Sequence, residues 1–393
     1  MKTLLGYALL LLSCSVSAQD SPYLTALLKS RPAEFSAVLA PGNPHEVQII
    51  YTEVLRDANG RPHFSTHTYG VSDSTYFYPA STVKMPLAFL ALEKLHELRI
   101  RGLDRNTLML TEAGSAPQVA TQIDTSAAGG LPSVAHYIKK IFLVSDNAAF
   151  NRLYEFLGQA AINERLHAKG YTNTRIVHRL GDGGPSFDTL TNQFTNPMRF
   201  VSDDTLRYYQ GEVRSRAVGL PVLQRELRGV GYARGDAIID APFDFSRKNY
   251  VHLRDLHDML QAVIFPTAVP EHRRFRMSAA DREFLLRYMS MRPRESRSPR
   301  YDKPDNYVKF FWHGDDETKI LPDHIRIYNK VGWAYGWLTD VSYVHNEQSG
   351  REFLVAATIH VNANQIYNDG VYEYETIGLP FFARLGALLL GTE

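Results

Sequence analysis

Ser81 and Lys84 stand three residues apart in Tyr78-Pro79-Ala80-Ser81-Thr82-Val83-Lys84, just ahead of an apolar run with helical spacing. Residues three apart on a helix share a face. A serine hydroxyl is a weak nucleophile until a neighbour takes its proton. A lysine can take it when burial and nearby positive charge lower its pKa. The free N–H groups and the dipole of a first helical turn favour negative charge on a nearby oxygen. Pro86 has no N–H to give, which fits a tight helix start. By itself a Ser-x-x-Lys quartet arises often by chance, and a helix-capping Ser81 accounts for it too.

Two further segments carry groups of related use. Ser145-Asp146-Asn147 lies between two helical segments. A second serine can relay a proton and an asparagine can hydrogen-bond an amide, although the triplet also reads as a helix N-cap. Lys330-Val331-Gly332 ends a strand. Gly332 admits a substrate close to the backbone and Lys330 adds positive charge; the plainer reading is a strand end with a solvated lysine.

Together, in this order and on these element types, the three segments resemble the class A β-lactamases and the wider superfamily of penicillin-recognising serine enzymes. Phe77 to Lys84 is similar to that family's nucleophile segment. Ser145-Asp146-Asn147 resembles its second motif, 145 − 81 = 64 residues on, and Lys330-Val331-Gly332 its Lys-Thr-Gly strand. Gly336 and Asp340 fall where the family has a Gly and an Asp, and Thr195-Asn196-Pro197 resembles a Thr-Thr-Pro. The resemblance spans about residues 35–393. It implies that Ser81 attacks a carbonyl and that Lys84 takes its proton, directly or through water. Ser145 would pass a proton to the leaving atom and Asn147 would hold a substrate amide. Lys330 would attract a substrate carboxylate and tune Ser145. Beside Gly332, the N–H of Trp333 would join that of Ser81 in stabilising an oxyanion. No cofactor and no metal is implied. The substrate is then a small molecule or a peptidoglycan-type amide or ester, with β-lactam hydrolysis the leading activity. A cell-wall D,D-peptidase or esterase, and a non-catalytic penicillin-binding sensor, are the alternatives.

Three departures bear on that resemblance. Val331 replaces the usual Thr and removes a hydroxyl that would bind a substrate carboxylate; a hydrogen bond to a charged group is worth about 1.5–3 kcal/mol. Ser145 to Lys330 is 185 residues, much longer than in the β-lactamases, so an insertion within 198–320 is expected to wall or cover the cleft. The family's Glu-x-x-Leu-Asn loop, whose Glu activates the deacylating water, has no clear match. Asp188 in Asp188-Thr189-Leu190-Thr191-Asn192 is a candidate base, with Asp182 and Glu155 behind it; an ordinary loop aspartate is the plainer reading of Asp188.

The elements that must position these residues read as strands, then helices, then strands, then a helix. Val47 to Val54 and His63 to Tyr69 flank Asn59-Gly60 and form a hairpin. Helices are expected over Pro22 to Lys29, Leu87 to Leu98, Val134 to Phe142, Ala148 to Leu157, Leu253 to Val263, Ala279 to Met289 and Leu379 to Leu390. Strands are expected over Ile325 to Lys330, Trp337 to His345 and Glu352 to Asn362. The fold class is α/β (α+β), two-part and β-lactamase/transpeptidase-like: a five-stranded antiparallel sheet flanked by helices, plus a mostly helical subdomain. Its sheet part takes about 45–80 and 325–393 and its helical part about 81–324, after an N-terminal linker and helix over 19–44.

Residues 1–18 read as a secretory signal: Lys2, an apolar run to Leu12, then small residues up to Ala18. A periplasmic or secreted location follows, with lipidation at Cys14 as the alternative. Cys14 is the only cysteine, so the mature fold uses no disulfide. A formal charge of +1 implies no nucleic-acid partner, and no stretch is long enough to be a transmembrane span. His252 and His257 lack metal-binding spacing. Arg292, Arg294, Arg297 and Arg300 read as a solvated loop, and Trp312, Trp333 and Trp337 as cleft candidates.

Overall fold

The computed structural model describes residues 20–40, 42–181, 184, 187–223 and 225–392. The expected signal segment, Cys14 and Asp182 lie outside the described residues. The chain opens with two short helices, α1 (Pro22–Lys29) and α2 (Pro32–Leu39), each started by a proline in its first turn. The hairpin follows as β1 (Gln48–Arg56) and β2 (Pro62–Tyr69), antiparallel, with Tyr51 opposite His67.

Helix α3 (Lys84–Leu98) is buried at every residue from Lys84 to Glu93. A helix apolar all round belongs in a core, and α3 is packed by α4 (Val134–Val144), α5 (Asn147–Leu157) and α6 (Gln159–Ala168). Further on come α7 (Leu253–Ile264) and α8 (Ala279–Ser290). The chain returns to the sheet as β3 (Ile325–Ala334), β4 (Trp337–Asn346) and β5 (Arg351–His360), and closes with α9 (Leu379–Leu390).

The five strands form one antiparallel sheet in the order β3-β4-β5-β1-β2. The first and last strands therefore meet, as the economical arrangement requires. Side chains alternate across the sheet. Phe353, Val355, Ala357 and Ile359 face Phe381, Phe382, Leu385 and Leu389 of α9, together with α1 and α2. Leu354 and Ala356 join Ile50 and Val341 on the opposite face, against Leu256, Met259 and Val263 of α7. At about 1.5–3 kcal/mol per fully buried large apolar side chain, the two cores fix the sheet between its helix layers.

The middle of the chain is less helical than its sequence implies. Leu108–Thr111, Met198–Ser202 and Thr205–Gln210 form a three-stranded antiparallel sheet, and ribbons of two to four residues occupy much of 227–251. The arginine loop also differs from expectation. Arg292 is buried, donating to Leu321 O, Glu295 and Asp323, and Arg294 pairs with Asp305 at 2.5 Å. Arg294, Arg297 and Arg300 are exposed, as the loop reading expects; Arg292 is the buried one. Those pairs tie the 292–323 segment to the end of the sheet that carries β3.

Candidate active site

Ser81 sits on a 3-10 turn, Ala80–Val83, that runs directly into α3. The helix therefore begins at Lys84, earlier than the apolar spacing implied. Ser81 makes no capping bond, and its Oγ has no hydrogen-bond partner among the described residues. Ala80 before it has a φ of 46°, an uncommon setting for a residue with a Cβ. Lys84, one turn on, is completely buried. Its Nζ donates to Ser145 O, to Asn147 Oδ1 at 2.5 Å and to Ser145 Oγ at 3.3 Å. Burial lowers its pKa to about 7, against the opposing pull of Asp146.

The Ser145 segment resolves its own ambiguity. Ser145 ends α4 in the left-handed region, φ 56°, and Asp146 is the N-cap of α5, accepting from Ala149 N at 2.7 Å. Capping thus falls to Asp146, which leaves Ser145 and Asn147 for other contacts. Ser145 Oγ receives Lys330 Nζ at 2.8 Å as well as Lys84 Nζ. Two donors occupy the two acceptor positions of that hydroxyl, so its own hydrogen is left to donate. Lys330 is 2% exposed, and burial together with the charge of Lys84 pushes its pKa well below the usual lysine value.

Lys330 lies within β3 rather than at its end, because the strand continues to Ala334. The continuation brings Gly332 against the Ser81 turn. A Cβ there would stand 2.7 Å from Pro79 O and 2.9 Å from both Ser81 N and Thr82 N. These are backbone atoms with no room to move aside. Gly332→Ala is accordingly expected to separate β3 from the turn, costing about 1–3 kcal/mol and slowing covalent labelling of Ser81. Thermal denaturation and labelling rates check it; unchanged values for both would contradict this packing.

A cleft of ≈ 510 Å³ opens over Ser81, with Asn147, Gly181 and Trp333 on its walls. Trp333 is 46% exposed and stacks on Tyr374 at 5.6 Å. Trp312 and Trp337 are instead core residues, so one tryptophan of the three reaches the cleft. Tyr335, Asn368, Tyr372 and Tyr374 also line it and are not singled out by the sequence; for Tyr372 and Tyr374 the signal is the closely spaced tyrosines after β5. No group of three or more metal-binding side chains occurs among the described residues. His257 is buried between Thr52 and Asp258, and His252 caps α7.

This arrangement can be set beside known proteins. The profile described as the beta-lactamase enzyme family matches residues 34–371. The chain belongs to that family. A comparison with curated proteins returns no match. Among solved structures, a beta-lactamase from Desulfarculus baarsii aligns over 96% of this chain and 100% of its own, at 14% identity and a TM-score of 0.50. A beta-lactamase from Streptosporangium roseum aligns over 93% and 99%, at 14% identity and the same TM-score. PBP-A aligns over 94% and 96%, at 16% identity and 0.50. These likenesses are of fold: mixed α/β with a five-stranded antiparallel sheet.

The wall opposite β3 carries Asn147 and Gly181. Asn147 Nδ2 donates to the carbonyl of Gly181, so a backbone oxygen meets the amide there. Asp188 lines a neighbouring basin instead of the Ser81 cleft. Its Oδ1 accepts from Thr191 N at 2.7 Å and from Thr191 Oγ1 at 2.8 Å, and these bonds hold its pKa low. Glu155 is fully buried, bonded to Arg179 at 2.9 Å, Arg152 at 3.0 Å and Asn196 at 3.2 Å. Neither carboxylate faces the cleft. Val331 packs in the core on the α9 side of the sheet and offers it no polar group.

Proposed function

We propose that the chain is a serine hydrolase that works through an acyl-enzyme on Ser81, with a β-lactam or a related cell-wall amide as substrate. The observation that carries the reading is the meeting of two buried lysines on one hydroxyl, Ser145 Oγ, beside the Ser81 turn. Protonated Lys84 has a hydrogen for each of Ser145 O, Asn147 Oδ1 and Ser145 Oγ; as a neutral amine it gives up the longest of these bonds, to Ser145 Oγ at 3.3 Å, and keeps a lone pair to accept the Ser81 proton, directly or through water. Ser145 then donates to the leaving atom and is resupplied from the lysine side. Lys330 holds its positive end toward a substrate carboxylate when protonated. The N–H groups of Ser81 and Trp333 serve the oxyanion. The aromatic wall around Trp333 gives an acyl group an apolar surface.

The pH dependence has a definite sign. Lys84 acts as base only when neutral, so the rate of Ser81 acylation is expected to fall about tenfold per pH unit below about 7 and to level off above it. Labelling by an uncharged fluorophosphonate from pH 5 to about pH 9 checks this; a flat profile would remove Lys84 from the role. The same displacement has a second consequence. The unfolded chain, where lysine titrates near 10.5, binds more protons than the folded one, so stability rises with pH between about 7 and 10.5.

A second reading, a penicillin-binding sensor that acylates and holds, is favoured by the Gly181 carbonyl standing at Asn147. Both readings include export. Residues 1–18 are proposed to be removed after Ala18, and the mass of protein recovered from a bacterial periplasm tests it: a chain retaining Met1 would contradict cleavage.

A further inference from the structure

Beside the Ser81 cleft lies a larger basin of ≈ 890 Å³, and the two share the walls Tyr78, Leu180, Gly181 and Tyr335. The basin is strongly basic. Arg175, Arg216, Arg247 and Lys248 line it, against the single carboxylate of Asp188, which is already taken up by Thr191. Arg179 lines it too, but Glu155 neutralises it. None of the other four forms an ion pair among the described residues. Arg175 donates one nitrogen to Ser246 O at 2.5 Å, while its buried Nε has no partner. Asp244, outside the walls, accepts from Ser246 N at 2.8 Å and lies within electrostatic reach of Arg175 and Arg247.

Arg216, Arg247 and Lys248 all come from the extra chain that separates Ser145 from Lys330. Four cations facing the one Asp188 carboxylate leave the basin net positive, and the self-repulsion of such a wall is relieved by an anionic ligand. Guanidinium groups suit carboxylate and phosphate oxygens. The volume is that of a small-molecule subsite. We infer that the insertion builds a second substrate subsite, which takes a carboxylate or phosphate carried on an arm of the substrate away from the bond that Ser81 attacks. This rests on the Ser81 reading and adds the substrate's charge to it. The Lys330 side of the cleft takes a different carboxylate, at the opposite wall.

The test uses the mature wild-type chain and thioester depsipeptides of one scaffold, with an acyl arm ending in a carboxylate, a phosphate or a neutral amide. The expected result is a kcat/KM at least about tenfold higher for one or both anionic arms at low salt, shrinking toward equality near 0.5 M salt as a roughly 10 Å screening length shortens. The triple variant Arg216→Gln, Arg247→Gln, Lys248→Gln is expected to lose the preference. Arg216 and Arg247 are exposed and Lys248 half-buried, so its melting temperature should stay near that of the parent. No preference in a wild-type protein whose Ser81 still reacts with an uncharged fluorophosphonate would overturn the subsite alone. A Ser81 that does not react would overturn the hydrolase reading beneath it. A preference kept by the folded triple variant would also overturn the subsite.

Discussion

Replacing Lys84 with methionine is expected to slow acylation of Ser81 by about 10²–10⁴-fold, the usual worth of a positioned proton acceptor, without unfolding the chain. Methionine fills a similar volume and has no charge to bury. Lys84 is completely buried, and its ammonium form is disfavoured there. Removing it relieves a buried group rather than leaving a hole, so the melting temperature should hold or rise at pH values near or below about 7. Loss of Nζ leaves Asn147 Oδ1 and Ser145 O without their donor, which sets the cost on the other side at about 1–3 kcal/mol each. Rate and stability therefore separate: a large loss in labelling with a small change in melting. Ser81→Ala should remove labelling altogether. Equal labelling by Lys84→Met and the parent would show that the proton goes elsewhere.

Gly181→Glu is expected to speed release of an acyl group from Ser81 by about 10²-fold or more. Release needs a base that draws a proton from water on the open side of the ester. Two of the candidate carboxylates are engaged elsewhere: Glu155 is buried among Arg152, Arg179 and Asn196, and Asp188 is bound to Thr191. Gly181 lines the cleft together with Ser81, and its carbonyl accepts from Asn147 Nδ2. Among the described residues a Cβ at Gly181 would meet no heavy atom within 4 Å, and its φ lies outside the left-handed region, so the backbone accepts a side chain. Placing a carboxylate there supplies a base beside the amide. The parent should then release its acyl group slowly, and the variant faster. The check is the lifetime of the adduct after excess reagent is removed. Equal lifetimes in parent and variant would contradict the assignment of this wall.

Much of this architecture is legible in the sequence because it rests on strong local signals. The Asn59-Gly60 turn between alternating segments fixes the β1–β2 hairpin, and the run 379–390, apolar but for an exposed Arg384, has the length of a buried helix. Ser81, Lys84, Ser145, Asn147 and Lys330 were identified from short polar motifs, and the structure brings their segments to one cleft. What stayed hidden is what no local signal encodes. The strands within 198–251 are two to six residues long, too short for a period to register. The apolar residues 331–334 could extend the strand or leave it, and only pairing with β4 decides. Arg292 reads as solvated because its partners, Asp323 and the Leu321 carbonyl, are distant in sequence. Aromatic type alone could not separate Trp333, in the cleft, from Trp312 and Trp337, in the core. Gly181 has no side chain to announce a role; its contribution is a carbonyl, visible only once Asn147 is placed.

The central claim is that Ser81 is acylated, and intact-mass analysis over time after adding a penicillin tests it most directly. The account predicts a rise in mass equal to one whole penicillin, mapped by peptide digestion to the segment holding Ser81, present in the parent and absent in Ser81→Ala. A parent chain that is folded yet never gains that mass, or gains it on another residue, would contradict it.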